Sequence, residues 1–159
     1  MATRSEALAK QFEAKVQEAV AVLERLSDTD WKQVTAAERW TVGVTAHHLA
    51  SAFEPVAGLV TAIASGQSRG HFTRAMLDEM NARHAQEHAN CTKAETIALF
   101  RRGAAAAAAV VRGLSDDQLA TSGTVFTDAP PMTAEQLITG GLIAHIDAHL
   151  GSIRKTVGR

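Results

Sequence analysis

Of the groups able to do chemistry in these 159 residues, the seven histidines are the most informative, because their helical phase separates them. Near the C-terminus Ile138, Leu142, His145, His149 and Ser152 follow at steps of four, three, four and three. On a helix such residues share a face, so His145 and His149 stand one turn apart beside apolar neighbours. An earlier stretch sets His48 on the stripe of Val44, Ala52, Pro55, Leu59 and Ile63. Its neighbour His47 falls with Gly43, Ala50, Glu54 and Gly58, a smaller and more polar surface. Three imidazoles turned toward a core need compensation, since a buried unpaired polar group costs on the order of 1–3 kcal/mol. A divalent metal ion satisfies all three, and three neutral imidazoles plus water suit a site with an open position. The alternative is three core histidines bonded to backbone or to one another.

Met80, His84, His88 and Cys91 form a rival set at steps of four, four and three, with donor types that suit a soft metal. Arg83, Glu87 and Asn90 crowd that stretch, and solvated surface histidines are the plainer reading. His71, beside Gly70 in a loop, is uninformative. The His145-x-x-x-His149 spacing invites comparison with the zinc-protease helix, which needs Glu directly after the first His. Here that residue is Ile146, and Asp147 points about 160° away at ~100° per residue. No glycine-rich phosphate loop and no Gly-x-Ser-x-Gly is present. The single Cys91 lacks an orienting partner in the sequence and cannot form an intrachain disulfide.

The elements that must position these residues read as helices. Leu8, Phe12, Val16, Ala19, Leu23 and Leu26 give one apolar stripe over Ser5 to Leu26, followed by a polar connection carrying Trp31. Thr41 caps a helix to about Ser65, in which Pro55 predicts a kink. Gly66 and Gly70 bracket a loop, and Thr73 caps a shorter helix reaching His88 or Ala89. Thr92 with Glu95 forms a capping box for a helix over Lys93 to about Arg112, buried through Ile97, Phe100, Ala104, Ala107, Val111 and Leu114. Ser115 with Gln118 suggests one short turn, and Gly123 to Pro131 reads as a loop. Thr133 with Gln136 opens the last helix, to about Val157. With no strand–helix alternation, the expected fold is all-α, a helical bundle with one or two extra short helices.

Length and composition fit one domain over residues 1–159. A net charge of −1 with scattered basic residues speaks against nucleic acid and anionic lipid as partners. No apolar run is long enough to span a membrane, and the N-terminus shows no apolar signal core, so the expected location is the cytoplasm.

Two segments carry a family resemblance. Glu38-Arg39-Trp40-Thr41-Val42, with His48 eight positions after the Trp and Leu49-Ala50 following, resembles the second-helix signature of the DinB/YfiT-like superfamily. That superfamily also includes the metal-binding domain of mycothiol-dependent maleylpyruvate isomerase. The stretch from His145 through His149 to Arg154 is similar to its last-helix His-x-x-x-His motif. The resemblance implies an up-down-down-up four-helix bundle, often a homodimer, with His48, His145 and His149 as metal ligands. It implies zinc or nickel, with iron or manganese as further options, and a low-molecular-weight thiol as co-substrate. The His47-His48 doublet departs from the pattern, and a C-terminal domain of the isomerase kind is not present.

The expected activity is therefore a metal-dependent thiol S-transferase, or a related transferase or hydrolase, acting on a small molecule. The alternative is a non-catalytic, stress-related bundle that binds a metal or small ligand. No general base is assigned; Glu54, on the face next to the histidines, is a weak candidate.

Overall fold

The computed structural model describes residues 3–67 and 72–159; His71 and Gly70 lie outside them. Four long helical units form the body. These are α1 (Arg4–Glu24), α3 (Val42–Ala64), α5 (Lys93–Arg112) and a C-terminal unit of α7 (Ala134–Leu137), a π-helical segment (Ile138–Ala144) and α8 (His145–Val157). Two short helices, α2 (Asp28–Lys32) and α6 (Asp116–Ala120), and the peripheral α4 (Arg74–Glu87) complete the helical set. Two-residue strands β1 (Ser122–Gly123) and β2 (Met132–Thr133) pair antiparallel at the base of the loop that the sequence suggested.

Side-chain contacts fix the directions. Ser5 Oγ, at the start of α1, donates to the carbonyl of Arg112 at the end of α5, and Lys93 Nζ donates to the Leu26 carbonyl just beyond α1. These two helices are antiparallel. Arg4 pairs with Glu135, Lys15 with Asp147 at 2.9 Å and Glu18 with Arg154 at 2.9 Å, so α1 and the C-terminal unit run parallel. Val56 meets Gly141 while His48 meets His149, so α3 opposes α8. The result is the up-down-down-up order.

Phe12, Phe53 and Phe100 form the centre, with edge-to-face rings 5.3 and 5.0 Å apart. Alanines do much of the remaining filling: Ala46, Ala50, Ala104, Ala107 and Ala108 are all buried. A Cβ on Gly103 would stand 3.2 Å from the Ala50 carbonyl oxygen, so this glycine sets how closely α3 and α5 approach.

The α1 stripe is buried as expected. The caps at Thr41 and Thr73, and the capping boxes at Thr92, Ser115 and Thr133, are all formed. Three local readings need correction. A short helix with its own Ser27–Asp30 capping box replaces the polar connection around Trp31. On α3 the buried stripe runs through Val42, Ala46, Leu49, Phe53, Ala57 and Val60, while Pro55 is exposed and the 23-residue helix continues through it. On the C-terminal unit it runs through Ile138, Leu142, Ile146, Leu150 and Ile153. The histidines therefore flank the core instead of lying in it. Sequence phase misplaced the stripe because small alanines, not the larger Leu59 and Pro55, face inward on α3.

Candidate functional site

Adjacent residues on a helix diverge by ~100°, and the His47-His48 doublet uses that divergence. His48 turns toward α8 and His47 toward α4. His48, His145 and His149 each offer one ring nitrogen, and the three nitrogens lie within 4.8 Å of one another. The His48 ring stands edge-on to His145 and His149, with centroids 5.3 and 5.0 Å away. His145 Nε2 and His149 Nε2 face each other at 3.0 Å. The structure thus brings together the three histidines singled out from the sequence. All three are half-buried on the shoulders of their helices.

Burial keeps these rings neutral. It lowers His48 to about 3 and His145 to about 4, with repulsion among the imidazoles adding to the effect. His149 is lowered by burial as well, against the opposing pull of Glu38. Neutral imidazole is the form that binds a metal.

Glu38 is the functional residue that sequence reasoning underused, having entered only as part of a motif. Its side chain is 9% exposed, and Oε2 lies 3.7 Å from His149 Nδ1, just outside hydrogen-bond range. Among the described residues Oε2 has no hydrogen-bond partner. A tight loop delivers it. Val34 bridges to Thr41, Thr35 N–H donates to the Trp40 carbonyl at 2.8 Å, and Arg39 adopts a left-handed φ of 62°. Positive φ in a non-glycine residue is strained and recurs near functional sites. The same loop sets the Trp40 ring 5.1 Å from that of His48. The signal available in sequence was Glu-x-Trp directly before the α3 cap.

Those features fit a divalent ion. The donor set is three neutral imidazoles, two Nε2 atoms converge, and a carboxylate stands behind one ring. Carboxylate–histidine pairs of that kind orient metal ligands and fix their tautomer.

His47 joins a second group. With His84 and His88 of α4 it too offers ring nitrogens within 4.8 Å of one another. The linear Met80–His84–His88–Cys91 set does not form: Met80 is 47% exposed, and Cys91 is not part of the group. Burial pushes the Cys91 thiol above its ordinary value, the opposite of what a nucleophile needs. Its carbonyl instead accepts a 2.9 Å hydrogen bond from Trp31 Nε1. Glu54 is exposed.

Among the described residues no helix is long and apolar enough to cross a membrane. No curated protein matches the sequence. Two solved structures share the fold. One is a mycothiol-dependent maleylpyruvate isomerase (TM-score 0.74, 13% identity); the other is a variant of that isomerase with one histidine replaced by alanine (TM-score 0.75, 11% identity). Each comparison covers 96% of this chain and 63% of the other, so the chain spans less than two thirds of either relative's length. At such identities the likeness is one of fold. Residues 11–153 match the DinB superfamily along nearly the whole bundle, and the chain belongs to that superfamily.

Proposed function

We propose that His48, His145 and His149 hold one divalent metal ion, zinc or nickel before iron or manganese, in service of a thiol-dependent transfer or hydrolysis on a small molecule. The supporting observation is the convergence of three neutral imidazoles from α3 and α8 with Glu38 behind one of them. A bound ion with an open position lowers the pKa of a coordinated thiol or water and so supplies a nucleophile near neutral pH.

The protein's own residues prepare that chemistry. Glu38 favours the His149 tautomer with its proton on Nδ1, which leaves the Nε2 lone pair facing His145. Trp40 packs against His48 and limits how that ring can turn. Cys91, with its raised pKa, is a poor thiolate source, so the reacting thiol comes from a small molecule in solution. The likeness in fold to an enzyme described as mycothiol-dependent supports that choice of co-substrate class. A homodimer working in the cytoplasm completes this reading.

Cobalt-substituted protein provides the test. Added low-molecular-weight thiol is expected to shift the cobalt absorption bands, with loss of the bands in His149→Ala. Bands that form normally yet ignore every thiol would remove the thiol-dependent part of the proposal. The non-catalytic reading would then gain, since Glu38 faces the outer nitrogen of His149 rather than the point where the rings converge.

A further inference from the structure

We propose that His47, His84 and His88 form a second, separate site for a divalent transition-metal ion. The inference does not depend on the first triad, since none of its three ligands is shared.

The rings are already gathered. His47 and His88 stack with centroids 4.1 Å apart, His47 and His84 lie at 4.9 Å, and His84 and His88 at 4.5 Å. Without an ion this arrangement satisfies its polar atoms poorly. His47 Nδ1 and His84 Nε2 face each other at 2.8 Å, so one must carry the proton and the other be bare. Ser51 Oγ, 3.2 Å from the same His84 Nε2, already has the His48 carbonyl as an acceptor for its hydrogen at 3.0 Å. His84 Nδ1 is buried with no partner among the described residues. A cation that accepts ring lone pairs resolves this conflict, and an all-imidazole set selects zinc, nickel, cobalt or copper over calcium or magnesium.

The second support comes from α4 itself, which has 14 residues and none buried. Its ends are tied down. Before it, Thr127 N–H donates to the Phe72 carbonyl at 2.8 Å, and Arg74 lies over the Phe126 ring. After it, Trp31 holds the Cys91 carbonyl. Between those ties the half-buried side is Leu77, Asn81, His84, Ala85 and His88. Short helices gain most of their stability from packing an apolar face, and this one has almost none. Coordination by His84 and His88, one turn apart, with His47 of α3, supplies the missing attachment.

The test counts ions. Metal-free protein is loaded with zinc, dialysed, and its bound metal measured by mass spectrometry, with cobalt absorption as a second readout. Two ions per chain are expected. His84→Ala and, separately, His88→Gln are each expected to remove one, while His149→Ala removes the other. Circular dichroism confirms that each variant is folded. Zinc is also expected to slow amide exchange across residues 74–87 at least tenfold in the parent protein and not in His84→Ala. One ion that both α4 variants retain overturns the second site and leaves the first standing. One ion lost only on changing α4 does the reverse. A single ion lost on changing either triad overturns the second site as a separate one.

Discussion

The two histidine triads differ less in their rings than in what stands behind them. His145 and His149 project from a helix whose Ile146, Leu150 and Ile153 are at most 2% exposed, so the bundle core fixes their backbone. His84 and His88 project from a helix with no buried residue. Both groups draw their third ring from one doublet on α3. One triad is preorganised by the core; the other must organise α4 as it binds. Preorganised ligands lose little entropy on binding, whereas ligands on a loose element spend part of the binding energy on ordering it. The core-backed site should therefore be the tighter.

Removal of a ligand from the core-backed triad should give the largest effect. His149→Ala is expected to weaken zinc binding there by more than ~100-fold, beyond what loss of an outer partner costs, without changing binding at α4. Competition with a chromophoric chelator would measure it, and equal weakening at both triads would erase the distinction. Glu38→Gln comes next. It keeps the side chain's size and removes its charge, so about 10–100-fold weaker binding is expected at the His149 site alone.

A smaller effect targets the other side of the comparison. A Cβ on Gly43 would fall 2.4 Å from Trp31 Nε1, so Gly43→Ala must push the indole off its perch and away from the Cys91 carbonyl. The expected cost is about 1–3 kcal/mol of stability. Tryptophan fluorescence should shift, and metal binding at His88 should weaken while the α8 triad keeps its ion.

The acid response should vary most gently. Burial first, then repulsion from neighbouring histidines, holds His47 at about 4, His48 at about 3 and His145 at about 4. An unfolded chain titrates near 6.5. Between those values the unfolded chain binds more protons, so stability rises with pH there. Metal-free protein is expected to keep this contribution above about pH 6.5 and lose it steadily toward pH 4. Urea midpoints across that range would show it, and a flat profile would mean the rings titrate normally in the folded state.

The sequence displayed its local signals far better than its tertiary ones. Thr92–Glu95, Ser115–Gln118 and Thr133–Gln136 are contacts between near neighbours, so their spacing alone identifies them. The all-α bundle follows from the helical period in the same way. The inward face of α3 was hidden because Ala46, Ala50 and Ala57 fill it, and alanine carries little weight in a search for an apolar stripe. Thus His48, His145 and His149 do lie together, but on the flanks of the core and not on its stripe. The second triad was out of reach: nothing local to His47 says that a peripheral helix will fold over it. Glu38 was equally obscure, since the loop that aims it depends on the left-handed turn at Arg39.

The π-helical segment over Ile138–Ala144 has a consequence for what lengths of chain this protein tolerates. A wide turn behaves like one surplus residue accommodated in an otherwise ordinary helix. Excising Gly140, whose Cβ position faces open space, should let the coil tighten. Everything downstream would then rotate by ~100° and retreat by about 1.5 Å. Ile146 and Leu150 would be carried out of the interior, and His145 and His149 would swing away from α3. In this stretch the number of residues matters as much as their identity: a single codon dropped would dismantle the triad without altering any of its ligands.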